Sequence, residues 1–162
     1  MEQRKKKRQP SRDEMLLRMA GLCAASEQCV AGVREKILKA GLTPDDAEAI
    51  TRYLMENKYI DDSRFARAFA ADKVRFAGWG KFKIRMALRM KGIADSYVAD
   101  ALSYINEKDY AEALSKAIVA KARQLNLSDV ADRQRLYRHL ASRGFESHVI
   151  IPAIREYMRT NL

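Results

Sequence analysis

Glycine and proline are scarce in this sequence, 7 and 3 among 162 residues, while Ala, Leu, Arg, Lys, Glu and Met are plentiful. That mixture favours helix, and no stretch alternates apolar with polar residues long enough to claim a strand. Cysteine is nearly absent. Cys23 and Cys29 are too few for a disulfide scaffold, and a zinc site would need closer pairs or histidine partners. They are expected to be small, part-buried side chains in a reducing compartment. No apolar run approaches the roughly 20 residues that span a bilayer. The basic start Arg4–Arg8 has no apolar segment behind it, so it does not read as a secretory signal. These features point to a cytoplasmic protein with no membrane association.

Enzyme signatures are missing too. Gly78-Trp79-Gly80-Lys81 lacks the glycine spacing and the Lys-Ser/Thr ending of a phosphate loop. His139 and His148 are the only two histidines, with no metal-binding spacing around them. Asp61-Asp62 is the one candidate carboxylate pair for a nuclease. It stands just before a helical run, where capping and the helix dipole explain it. Neither catalytic nor metal-ligating residues are assigned, and no cofactor is expected.

What the chain does carry is positive charge, unevenly spread. The net charge is +10: residues 1–12 hold +5, residues 63–94 hold +8, and the remainder sums to −3. Segregation of this kind suits a polyanionic partner. Apolar residues make up 48%, enough for a core.

An internal repeat organises the sequence. Gly41, Gly92 and Gly144 stand 51 and 52 residues apart. Val33, Ile84 and Leu136 lie eight residues before them, and Ile37, Leu88 and Leu140 four before. Leu42, Ile93 and Phe145 follow directly, and Leu54, Ile105 and Tyr157 stand thirteen after. The −8 and −4 positions share a helix face. Each glycine fits a helix end that needs a left-handed residue, and the apolar residue after it can fold back on that helix. Thr43-Pro44-Asp45-Asp46 opens a following helix well, whereas Ala94 and Glu146 are weaker caps. Pro152 is expected to kink the last helix or loosen its start. Leading helices read as 13–25, 62–77 and 108–125, the second anchored by Phe65, Phe69 and Phe76. The prediction is an all-α protein of three tandem three-helix repeats, about nine helices, in an elongated, curved array. Residues 1–12 form a disordered basic arm, and the repeats occupy 13–58, 59–107 and 108–162.

The middle repeat holds the candidate site. At about 100° per residue, Lys81, Arg85 and Arg89 form one row, flanked by Ile84 and Leu88 on one side and by Phe82, Met86 and Met90 on the other. A row of like charges costs helix stability unless a partner neutralises it. Arg64, Arg67, Lys73, Arg75, Lys83 and Lys91 enlarge the basic area. Trp79, between two glycines, either plugs the corner between two helices or presents its ring to a base or partner.

Lys58-Tyr59-Ile60-Asp61-Asp62-Ser63-Arg64-Phe65-Ala66, then Gly78-Trp79-Gly80, Ile84-Arg85, Leu88 and Lys91-Gly92-Ile93 resemble the signature of the RecX family. Arg143-Gly144-Phe145 resembles the family's closing R-G-[FY]. Lys58 stands where that pattern commonly has Gly, and Lys81 where it commonly has Pro. The resemblance implies a non-enzymatic, three-repeat helical regulator of DNA recombination, repair and the SOS response. Such a protein lies along the groove of the RecA–DNA filament and inhibits RecA. The implied partners are the RecA filament and single- or double-stranded DNA, met by a monomer. A general basic DNA-binding architectural protein with no recombinase partner is the alternative.

Overall fold

The computed structural model describes residues 8–161. The described residues form nine helices and no strand: α1 (Arg12–Ala25), α2 (Val30–Lys39), α3 (Pro44–Glu56), α4 (Asp62–Arg75), α5 (Lys81–Met90), α6 (Asp95–Ser103), α7 (Glu107–Ala122), α8 (Val130–Ser142) and α9 (Ser147–Asn161). The repeat is real at the level of backbone geometry. Gly41, Gly92 and Gly144 take φ of 96°, 75° and 94°, and α2, α5 and α8 end just before them. Ile93 and Phe145 donate their N–H groups to the carbonyls of Leu88 and Leu140, at 3.1 and 3.3 Å, so the residue after the glycine does fold back on the last turn. The −8 and −4 residues of all three repeats are fully buried. Each of these helices packs on its successor: α2 on α3, α5 on α6, α8 on α9.

The chain forms two compact units, residues 1–65 and 66–162. The first has a core of Met15, Met19, Val33, Ile37, Leu42, Ala47, Ile50, Leu54 and Ile60. Its α1 begins with a capping box: Glu14 N–H donates to Ser11 Oγ, and the Glu14 carboxylate accepts from Ser11 N–H. Of the expected disordered arm, residues 1–7 lie outside the described residues. The rest of it is tied down. Pro10 is buried, Gln9 Nε2 donates to the Gly41 carbonyl at 2.7 Å, and Arg8 pairs with Glu14 at 3.1 Å. Charge counting misses this because two of the three holding groups are a neutral amide and a proline.

Asp61 and Asp62 both act as caps, on different helices. Asp61 Oδ1 accepts from Arg64 N–H at the start of α4, at 3.0 Å. Asp62 Oδ1 accepts from Val30 N–H at 2.9 Å, serving the first turn of α2, whose own N-cap Cys29 supplies no side-chain bond. Lys58 adopts φ 58°, the one positive φ among the described non-glycine residues. It takes the left-handed conformation that the family pattern fills with Gly. A side chain there costs roughly 1–2 kcal/mol, partly offset by the lower entropy of the unfolded chain. Lys58→Gly is therefore expected to raise stability by up to about 1 kcal/mol, read as a higher urea midpoint at unchanged m-value.

The second unit holds α5–α9 and α4 from Ala66 onward. The buried stripe of α4 is Ala66, Ala70 and Val74, and its aromatics are not the anchors that their spacing suggests. Phe65 and Phe69 are half-buried, and Phe76 is 84% exposed. Helix α9 is continuous through Pro152, which lies in its second turn at an exposed position.

Within this unit the turn before α5 is locked into the turn after α8. Gly80 N–H donates to the Arg143 carbonyl at 2.8 Å, and Phe82 N–H to the Gly144 carbonyl at 3.0 Å. Arg143 reaches back with Nη2 on the Ala77 carbonyl at 2.7 Å and Nε on the Gly78 carbonyl at 3.2 Å. The Gly80 and Phe82 N–H groups at the start of α5, which no side chain of its own turn caps, are thus satisfied by the third repeat. Lys81 N–H completes the set by donating to the Tyr110 hydroxyl at 3.0 Å. The Tyr110 hydroxyl in turn donates to the Glu146 carboxylate.

A candidate polyanion-binding surface

The ten predicted residues divide by side-chain type. In the first unit, Arg64 Nε holds Glu27 at 2.6 Å, and its guanidinium also donates to the carbonyls of Lys58 and Tyr59. In the second unit, Arg67 pairs with Asp100 at 2.8 Å and lies 3.9 Å above the Tyr104 ring. The Asp100 carboxylate, by its hydrogen bond, holds the Arg67 guanidinium even more firmly protonated than usual. Arg75 pairs with Asp109 at 2.6 Å, and Arg89 with Asp95 at 2.8 Å. Four of the five arginines in the set are therefore neutralised inside the molecule. Pairs this exposed contribute little to stability, and a phosphate can compete for them.

The lysines sit on aromatic rings instead. Lys73 Nζ and Lys83 Nζ lie 4.7 and 4.5 Å from the centre of the Trp79 ring. Lys73 also lies 5.2 Å from Phe69, Lys91 5.7 Å from Phe69, and Lys81 5.1 Å from Tyr110. Each distance is within the roughly 6 Å over which a ring face attracts a cation. Among the described residues, no ion pair involves Lys73, Lys81, Lys83 or Arg85. The ridge of Lys81, Arg85 and Arg89 consequently has three kinds of member. Lys81 is half-buried against Tyr110, Arg85 is exposed and unpaired, and Arg89 is paired.

Trp79 is half-buried and packs edge-on against Phe69, with centroids 6.4 Å apart at 72°. Its main-chain N–H donates to the Lys73 carbonyl at 3.0 Å. Beside the ridge, Phe82, Met86 and Met90 form a second row on α5 and are 56%, 43% and 87% exposed. A row of large apolar side chains facing solvent next to a row of cations suits a partner that is itself part protein.

Sequence reasoning missed the residues that hold this surface in place: Arg143, Tyr110 and Glu146. Arg143-Gly144-Phe145 was visible as a motif, but nothing in its spacing shows that it grips a turn 65 residues away. The described residues contain no cluster of three or more His, Cys, Asp or Glu side chains that could hold a metal. None of their helices is long and apolar enough to cross a membrane.

Comparison with known proteins places this arrangement. Residues 61–102 match the model of the second three-helix domain of RecX, and residues 107–154 match that of the third. The chain belongs to the RecX family. Among RecX relatives, the regulatory protein RecX of Prosthecochloris aestuarii is 29% identical over 143 residues, covering 88% of this chain and 93% of that protein. A Clostridium botulinum regulatory protein RecX is 33% identical over 132 residues, covering 78% of this chain but 60% of that longer protein. The crystal structure of RecX from Lactobacillus salivarius superposes with a TM-score of 0.78 at 19% identity, covering 90% of this chain and 95% of that one, which shows a shared fold. The two RecX domain models meet between α6 and α7, inside the compact unit 66–162. The interlock of Gly80 with Gly144 ties the second repeat to the third inside that unit.

Proposed function

We propose that this RecX-family regulator binds the filament that RecA forms on DNA and restrains RecA activity, acting as a cytoplasmic monomer in recombination and repair. The second three-helix repeat, residues 59–107, supplies the contact. Lys73, Lys81, Lys83 and Arg85 meet the anionic partner directly. Arg64, Arg67, Arg75 and Arg89 add charge once their own carboxylates are displaced, and Trp79 and Lys91 border the patch. The observation that carries this reading is the set of four cations on α4 and α5 without a carboxylate partner among the described residues. Such groups gain from phosphate or acidic protein and give up no ion pair to do so. A regulator of this kind needs no active site, since any effect on ATP turnover acts through a partner that has one.

The exposed row of Phe82, Met86 and Met90 favours a protein-coated strand over naked duplex. The test is co-sedimentation with RecA–single-stranded-DNA filaments, with RecA ATPase as the second readout. The Lys83→Glu, Arg85→Glu double variant is the informative one. The carboxylate that replaces Lys83 falls in the first turn of α5, where negative charge is favourable. The one that replaces Arg85 stands four residues from both Lys81 and Arg89, where it forms attractive helical pairs. Helical content should therefore be retained while filament binding weakens at least about tenfold and inhibition disappears. Inhibition unchanged in the folded variant would reject this surface. Binding to naked duplex with no effect on preformed filaments would favour the architectural alternative.

A further inference from the structure

We propose that Trp79, flanked by Lys73 and Lys83, is a stacking site for an unpaired nucleobase. The proposal rests on the reading that this surface meets a nucleoprotein, and it names which part of that partner the indole contacts. A tryptophan that serves only as a plug has its ring covered by apolar side chains. Here the groups over the ring include two ammonium ions, 4.7 and 4.5 Å from its centre, and neither has a carboxylate partner among the described residues. Both sit at the ends of flexible four-carbon stems. Attraction to a ring at an exposed site is weak compared with a direct contact to a phosphate. Phosphates of an arriving strand would therefore draw both ammonium groups off the ring, and the uncovered face is then open to a base.

The platform is held before the ligand arrives. Phe69 meets the indole edge-on, and the backbone that carries it is fixed by the Trp79 main-chain N–H, which donates to the Lys73 carbonyl. The Arg143 guanidinium clamps the carbonyls of Ala77 and Gly78 just ahead of it. A rigid ring with mobile cations beside it loses little freedom on binding. Stacking of this type accepts any base, since every base has a flat face, and it needs the base out of a duplex. The ligand class is thus single-stranded nucleic acid, without sequence preference.

Trp79 is the one tryptophan in the chain, so its emission reports this site alone. The experiment titrates the full chain with three probes at equal phosphate concentration: a short oligothymidylate, a duplex of the same length and inorganic polyphosphate, which carries the charge without bases. The expected result is quenching by oligothymidylate that exceeds quenching by the duplex or by polyphosphate several-fold. Equal responses to oligothymidylate and polyphosphate would overturn the proposal, because displaced lysines alone would then explain both. Trp79→Leu should weaken oligothymidylate binding about 5- to 100-fold with an unchanged salt slope. Unchanged affinity in the folded variant also overturns it. If oligothymidylate leaves the emission unaltered while the protein still co-sediments with RecA filaments, stacking is rejected and the broader function stands. The titrations use the unaltered protein and remain decisive even if Trp79→Leu fails to fold.

Discussion

Replacing Gly80 by Ala is expected to destabilise the protein by about 3 kcal/mol or more, lowering the melting temperature by roughly 6–12 °C. A Cβ on Gly80 would stand 2.1 Å from the Gly144 carbonyl carbon and 2.2 Å from both its oxygen and the Phe145 nitrogen. All three are backbone atoms, so no rotamer change relieves the clash. Gly80 or Gly144 must move, and with them go the bonds from Gly80 and Phe82 N–H to the third repeat. Gly144→Ala should cost at least as much. Its Cβ would meet Lys83 backbone nitrogen at 2.5 Å, and its φ of 94° is strained for any L side chain. Thermal melts followed by circular dichroism measure both. A loss under about 1 kcal/mol in either variant would mean that the two turns do not interlock. Gly21 is the control, since a Cβ there meets nothing within 4 Å. Gly21→Ala, inside α1, should stabilise by about 0.5–1 kcal/mol.

Tyr110→Phe should cost about 1–3 kcal/mol, because it strips an acceptor from Lys81 N–H and a donor from the Glu146 carboxylate, leaving both unpaired. The effect has a pH signature. Burial, and then the hydrogen bond to Glu146, push the Tyr110 phenol well above its ordinary range. The folded state thus holds the phenol protonated at a pH where the unfolded chain releases the proton. This stabilisation is complete below about pH 10, the ordinary tyrosine value, and is lost as pH rises from there toward the folded-state value. Denaturant titrations should show the gap between Tyr110→Phe and the parent narrowing above about pH 10. A gap that stays constant would sink the assignment of Tyr110 as the neutral donor to Glu146. Because Tyr110 also seats the first turn of α5, the same variant should loosen the base of the cationic ridge and leave its charge unchanged.

Much of the fold was legible because its signals are local. The −8, −4 and +1 apolar positions around Gly41, Gly92 and Gly144 mark a helix, its end and its fold-back within a short span of chain, and all three glycines have the positive φ that this requires. Where prediction strayed, it ranked residues by size rather than by fit. Phe65, Phe69 and Phe76 looked like anchors for α4, but that helix packs closely through Ala66, Ala70 and Val74 and leaves the aromatics part-exposed or exposed. Likewise, the capping role of Asp61 could be read from its place before α4. That of Asp62 could not, because the N–H it accepts belongs to Val30, 32 residues earlier.

The charge pattern marks the line between the two sources of information. By itself the sequence determined an all-helical chain, a threefold repeat with glycine-ended helices, and a dense basic segment at 63–94, since periodicity, conformational freedom and composition act over a few residues. Only the tertiary structure decided which of those cations are spent and which are available. Arg64, Arg67 and Arg75 find their carboxylates 37, 33 and 34 residues away. Lys73 and Lys83 come to share one indole because Arg143 and Gly144 shape the turn between α4 and α5. Coulomb attraction falls with distance through space, and distance through space is set by how helices dock, which no local spacing in the chain encodes.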